Sequence, residues 1–405
     1  MLSSVYILFF IYWYRCSLPA GQAGSPLIIS VCIKICYGSF HLFKFYFLSV
    51  TDAACLPQVN SPLIISVCIK ICYARFIILL NAKDTKFENL FYIAKRNKNC
   101  FMELPQIPNL IYYAIPFFIL TVIIEGIAIF KKNPESYNIK DTFASLSMGV
   151  GNVLVNLLSK LMVVFVITFL YENFRLATIP FVWRAWLLIL FADDFCYYWF
   201  HRIGHESRFF WASHIIHHSS QKYNLSTALR QTWTGGFFSV VFYLALPLLG
   251  FHPLMIFTQM SVSLIYQYWI HTELIGKMPR WFEAVFNSPS HHRVHHGSNP
   301  LYLDRNYAGI LIIWDRLFGT FQPELKEEKV VYGLHANINT YNPLKIAFHE
   351  WIAVFKDAFS AKTSLAKKLN YFIKPPGWKH DGSGLLSEDL RKEWLLDQQK
   401  NASIN

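Results

Sequence analysis

HRIGHESRFFWASHIIHH, residues 201–218, places five histidines in eighteen positions, and its spacing decides how the rest of the chain is read. On a helix His201 and His205 stand at i, i+4, and His214, His217 and His218 at i, i+3, i+4, so each set projects from one face. A distant segment, His291-His292-Arg293-Val294-His295-His296, repeats the second spacing. Imidazole is the commonest side-chain metal ligand, and clustered imidazoles suit iron, zinc or copper better than magnesium or calcium. A lone HxxxH is more often a buried or interfacial pair than a ligand pair; three boxes together point to a metal site. Their imidazoles exceed the needs of one ion, so two neighbouring metals are expected.

The 405 residues are 54% hydrophobic, 17% aromatic and 15% charged, against roughly 25% charged in an ordinary soluble domain. With a positive mean hydropathy, this is the composition of a membrane protein. The formal net charge of +12 lies on basic residues that flank apolar runs. That placement suits anionic lipid headgroups, and the lack of a nucleic-acid module argues against nucleic acid as a partner. Seven of the eight cysteines precede residue 102 and leave Cys196 alone in the remainder, which excludes a disulfide framework in the main body.

The expected fold is all-α, a polytopic membrane helical bundle with a cytosolic histidine-box metal cap. Three parts are expected: an atypical extension (1–101), a membrane-embedded catalytic domain (102–322) and a cytosolic C-terminal region (323–405). SPLIISVCIKICY occurs at 25–37 and again, letter for letter, at 61–73. Two perfect copies beside unrelated spacers do not make a solenoid; they read as a recent insertion or a start assigned too far upstream, with Met102 the expected start. Apolar runs at 110–130, 150–171 and 179–200 read as spans, the first ending at Lys131-Lys132. Runs at 234–251 and 253–270, interrupted by Pro247 and His252-Pro253, fit a tilted or re-entrant hairpin as well as two full spans. With Lys131-Lys132 on the cytoplasmic side, the third span delivers 201–218 to that face and the hairpin returns His271 and 291–296 to it. On that topology the sequons at Asn224 and Asn401 are unused.

His271 closes the hairpin at the right level to be a further ligand. Asp194, seven residues before His201 on the same helical face, lies in an apolar run where a carboxylate is costly unless paired. It is expected either to fix the tautomer of a ligating histidine or to meet water at a helix end. Glu206 and Asp304 are open to the same role or to pairing with Arg202 and Arg305. From the imidazoles alone, a membrane metal transporter or storage protein and a zinc hydrolase remain rivals to an oxygenase. Ligands gathered at one face, rather than strung along a crossing path, disfavour the transporter.

The phrases YYWFHRIGHE (197–206), WASHIIHHSSQKYNLSTALRQ (211–231), YQYWIHTELI (266–275), SPSHHRVHHG (288–297) and NYAGILIIWDRLFGTF (306–321) resemble the fatty acid hydroxylase superfamily of histidine-box membrane oxygenases. YNLSTALRQ and the tail after the last box favour its ether-lipid branch over sterol or fatty-acyl hydroxylases. The resemblance implies a di-iron centre, molecular oxygen as oxidant, tetrahydrobiopterin as electron donor and a multi-pass endoplasmic-reticulum protein. It implies hydroxylation of the ether-linked carbon of an O-alkylglycerol, giving a hemiacetal that collapses to fatty aldehyde and glycerol. Ligand roles carry over to His201, His205, His214, His217, His218, His291, His292, His295 and His296, and the family's essential glutamate falls on Glu206. No part of the sequence points to a pterin pocket.

Overall fold

The computed structural model describes residues 5–15, 27–37, 42–50, 66–71, 76–79, 110–132 and 137–404. The chain forms two compact units, Met1–Leu104 and Pro105–Asn405. The first contains an antiparallel sheet in sequence order, β1 (Val5–Arg15), β2 (Leu27–Tyr37), β3 (Leu42–Val50), β4 (Ser66–Ile71) and β5 (Phe76–Leu79). Its strands are rich in β-branched and aromatic residues, which favour the pleated conformation. The duplicated segment supplies β2 in its first copy and β4 in its second. The all-helical expectation therefore describes the second unit, while the first is a sheet. The expected start at Met102 falls outside the described residues.

In the second unit α1 (Leu110–Lys132) and α2 (Ile139–Phe174) are, among the described residues, the two helices long and apolar enough to cross a membrane. At 1.5 Å per residue they reach about 35 Å and 54 Å, against a hydrocarbon core of roughly 30 Å. Tyr113, Leu154 and Leu158 stand outward and bare, 66–74% exposed, as lipid-facing side chains do. The run expected at 179–200 becomes α3 (Trp183–Glu206), which carries Arg184, Asp193 and Asp194 and continues without a break into the first histidine box. The hairpin expected at 234–270 is broken into α6 (Gly235–Tyr243), α7 (Ala245–Leu249) and α8 (Pro253–Trp269). Neither α6 nor α7 is long enough to span alone. Gly250, at φ 104°, closes α7 and receives the amide of Ile179 on its carbonyl, which ties this turn to the entry of α3. Ile167, Ile189, Leu246, Met255 and Ile256 form the apolar core among α2, α3, α6, α7 and α8. The histidines occupy the other end of the bundle.

Ser207, extended at φ −128° and ψ 122°, separates α3 from α4 (Arg208–His218) and turns the second box back onto the first. A short helix α5 (Leu225–Ala228) follows, capped by Asn224, which is 4% exposed and whose side chain accepts from the Ser226 amide. The sequon at Asn224 is thus spent on structure. The chain then supplies α9 (Arg280–Val285), α10 (Pro289–His295) and α11 (Ile313–Leu317). The region from residue 323 builds α12 (Pro343–Ser360), α13 (Leu365–Ile373) and α14 (Ser387–Ile404).

Arg230 of the YNLSTALRQ phrase is 1% exposed, and its guanidinium donates to Asp141 of α2 at 3.1 Å, to Ser219 and to Ser145. Removing one member of such a pair strands the other charge, at a cost of about 3–5 kcal/mol, whereas apolar replacement of both can be neutral. Asp141→Ala is expected to lower the thermal midpoint in detergent by that equivalent, and Asp141→Leu with Arg230→Met to recover most of it.

Candidate metal centre

Two groups of imidazoles converge in the space enclosed by α3, α4, α10 and the loops after α8 and α10. The first contains His201, His205, His214, His218 and His295; the second contains His217, His271, His292 and His296. Within each group the candidate ligand atoms lie within 4.8 Å of one another. In the first, Nε2 of His214 is 3.0 Å from Nε2 of both His201 and His218. In the second, Nε2 of His271 is 3.1 Å from that of His217 and 3.0 Å from that of His292. The groups adjoin, with the His218 and His296 rings stacked at 4.4 Å between centroids.

Local sequence sets this convergence. The elbow at Ser207 lets the i, i+4 pair His201/His205 face the i, i+4 pair His214/His218, while His217 points to the other group. Ser288 caps α10, its Oγ accepting from the His291 amide, and Pro289 occupies the first turn. From that start His292 and His296 lie on one face for the second group, and His295 turns to the first. The consecutive pairs His217-His218 and His295-His296 are each divided between the groups.

In five of the rings Nδ1 is bonded outward, which leaves Nε2 for the interior of the group. His201 Nδ1–H donates to the Tyr307 carbonyl at 2.7 Å, His295 to that of Arg305 at 2.9 Å and His271 to that of Gln267 at 2.7 Å. His217 donates more loosely to the Arg230 carbonyl, at 3.4 Å. His205 Nδ1 meets the Asp304 carboxylate at 3.1 Å. These bonds select the tautomer that leaves Nε2 as a lone pair. Nε2 of His205, His295 and His296 is buried with no hydrogen-bond partner. Burial, and after it repulsion from neighbouring rings, holds His201, His214, His218, His292, His295 and His296 well below the ordinary imidazole range. Burial likewise brings His217 down to about 4. Neutral rings with orphaned, converging lone pairs are what two borderline metal ions require, so the donor set fits the expected pair of metals.

Residues 304–311 act as a strap behind these rings. Asp304 and Asn306 adopt φ 56°, a left-handed conformation that Asn and Asp tolerate better than other side chains. Asn306 spans the strap, donating from Nδ2 to the carbonyls of His291 and Gln322. Asp315 accepts from the Tyr307 and Ala308 amides, both at 2.8 Å. Asp194 accepts from the Ile310 and Leu311 amides at 2.7 and 2.9 Å and from the Trp314 indole. Asp194 is fully buried and accepts from no histidine; it pins the strap whose Tyr307 carbonyl orients His201.

Nine of the ten candidate histidines come together. His291 does not: it stands one residue, about 100°, round α10 from His292. Its ring packs on Phe321, and its Nε2 lies 3.9 Å from Glu283. Glu206 also lies outside both groups and is paired to Arg202 at 2.8 Å. From Arg202 a chain of hydrogen bonds runs through Tyr198 and Thr320 to Asp315 and so reaches the strap. Asp304, weighed between two roles, meets His205, a member of the first group. Asp315 and the carbonyls of Arg230, Arg305 and Tyr307 were not singled out from sequence, because backbone acceptors leave no residue-type signal. An apolar cavity lined by Phe200, Gly204, Phe210 and Phe238 reaches His201 and His214.

With two groups, His214→Ala and His296→Ala should each lower the metal content of purified protein, measured per chain by elemental analysis. His291→Ala should retain both metals while His292→Ala loses one, an outcome that spacing alone would not give.

Residues 186–320 match the family described as fatty acid hydroxylase. The chain is 41% identical over 298 residues to alkylglycerol monooxygenase of Homo sapiens, covering 72% of this chain and 65% of that protein. It is 40% identical over 292 residues to the Xenopus tropicalis protein of the same name, 71% of this chain and 64% of the relative. For the Danio rerio protein the figures are 39% over 295 residues, 72% and 65%. The chain therefore spans just under two thirds of the length of these relatives. No solved structure matches it at a significant level. The segment that carries the histidine groups matches the fatty acid hydroxylase family, and the chain is similar over most of its length to the alkylglycerol monooxygenases.

Proposed function

We propose that this chain is a membrane monooxygenase that uses molecular oxygen and tetrahydrobiopterin to hydroxylate the ether-linked carbon of O-alkylglycerols, releasing fatty aldehyde and glycerol. The observation that carries the reading is the pair of adjoining all-imidazole groups, set in a chain about 40% identical to proteins of that name. Two iron ions, held by the five- and four-histidine groups, supply the oxygen-activating redox chemistry when bound. The protein's own part is positional. The strap and the Nδ1 bonds hold the rings in one tautomer, and Asp194 and Glu206 act as positioning residues through Asp315, Tyr307 and the strap. The Phe200–Phe210–Phe238 cavity offers an apolar, water-excluding path for an alkyl tail to reach the first group. Ser213 and Thr232, which also line it, offer hydroxyls near the ether end of a bound substrate. We place the protein in the endoplasmic-reticulum membrane with the histidine end in the cytosol, consistent with Lys131-Lys132 at the end of α1.

The test is aldehyde release from labelled O-alkylglycerol by membranes that carry the chain, with and without tetrahydrobiopterin and oxygen. Labelled sterol and fatty acid serve as competing substrates. Release that needs both additions is expected; turnover under anaerobic conditions would instead indicate a hydrolase. Gly204 lies between His201 and His205, and a Cβ there meets only the His214 side chain, at 3.8 Å. Gly204→Ala, whose methyl makes only ordinary contact with His214, should therefore keep the metals but narrow the cavity, raising KM for long-chain substrates more than it lowers kcat.

A further inference from the structure

α12 and α13 lie beyond the fatty acid hydroxylase match, and each is two-sided. Ile346, Ala347, Val354 and Ala358 of α12 are buried. They pack inward, Ile346 and Ala347 on Met148 of α2 and Ile216 of α4, and Val354 and Ala358 on Tyr371 of α13. On the opposite side Leu344, Phe348, Ile352, Phe355 and Phe359 are all exposed, Ile352 at 66% and Phe359 at 74%. At 100° per residue these five fall within an arc of about 80°. Leu365, Leu369 and Ile373 form a matching exposed stripe on α13. Contact between Phe355 and Phe372, 5.3 Å between ring centroids, makes the two stripes continuous. Water has no use for such a surface, and its size exceeds the scattered apolar exposure of a soluble face.

Charge says what covers it. Lys345 and Lys356 border the α12 stripe, and Lys362, Lys367 and Lys374 surround the α13 stripe, all exposed. The acidic residues of α12 are turned away, Glu350 and Asp357 both pairing with Arg208 at 2.7 and 2.8 Å. The remaining face is apolar with a basic rim, the pattern of a helix lying in the headgroup layer of an anionic bilayer. Position agrees. Tyr341, just before α12, accepts a hydrogen bond from Asn138, the cap of α2, at 2.8 Å, so α12 begins where a spanning helix begins.

We infer that α12 and α13 form an in-plane anchor that docks on a bilayer surface containing anionic lipid. The anchor is wired to the histidines. The α3–α4 elbow gives its Ser207 hydroxyl to the Phe372 carbonyl at 3.1 Å and its Arg208 amide to the Lys374 carbonyl at 3.0 Å. Trp351 of α12 packs on Phe209 and Phe238, beside the apolar cavity. The inference rests on α1 and α2 being spans and not on the reaction, so its failure leaves the proposed chemistry standing.

The test uses the full chain in vesicles of phosphatidylcholine, with and without phosphatidylserine. An environment-sensitive fluorophore is placed at Ile352→Cys, Leu369→Cys or, as control, Glu393→Cys on α14, and wild-type labelling is subtracted. Doxyl-lipid should quench the first two labels several-fold more than the control, and more so with phosphatidylserine present. Ile352→Glu with Phe359→Glu, both exposed and so harmless to folding, should reduce lipid quenching at Leu369→Cys to the control level while metal content stays unchanged. Iodide quenching at Ile352 and Leu369 equal to that at Glu393 would overturn the inference. So would labels shielded from both quenchers together with a particle mass in detergent that falls on Ile352→Glu, since a second copy would then be the occupant.

Discussion

Nine imidazoles converge in two adjoining, largely buried groups, and the rest of this structure exists to hold them there. Nε2 of His205, His295 and His296 is buried without a hydrogen-bond partner, and a buried acceptor left without a donor costs about 1–3 kcal/mol. Cations at the centre of each group would reverse the sign of that term. Until they bind, the arrangement is held by bonds to the far side of five of the rings, those of His201, His205, His217, His271 and His295. Hence the importance of carbonyls from Gln267, Arg305 and Tyr307, which contribute no side-chain chemistry.

Those carbonyls need fixing in turn, and the protein uses buried carboxylates to do it. Asp194 and Asp315 each accept two consecutive amides of residues 307–311, so two side chains set the path of the strap across the back of α3. Arg230 works the same way from the other side: its guanidinium is clamped by Asp141 and its carbonyl receives His217. A carboxylate in an apolar run thus serves the site at one remove, through backbone geometry.

Helical spacing made the histidine faces legible in the sequence, and the hairpin argument brought His271 among them. It could not separate His291 from His292, because HHxxHH offers two overlapping i, i+4 faces and only the packing of α10 decides which one turns inward. The carboxylates were visible as costly, but their partners are backbone amides more than a hundred residues away. Apolar run length suggested a third full span where the structure has a helix with three charged residues among its first twelve. The C-terminal region was expected to be cytosolic; its apolar stripes emerge only when exposed and buried positions are sorted around α12 and α13.

The division of His217-His218 and His295-His296 between the two groups has a bearing on biosynthesis. Every ring from the first two boxes leaves the ribosome long before the residues that complete either cradle. His292–His296 and the strap at 304–307 arrive together, as one late segment. The same two backbone links, His217-His218 and His295-His296, join the cradles. Both cradles are therefore completed by one stretch of synthesis, and a nascent protein stalled before residue 292 carries four imidazoles of the first group but only two of the second.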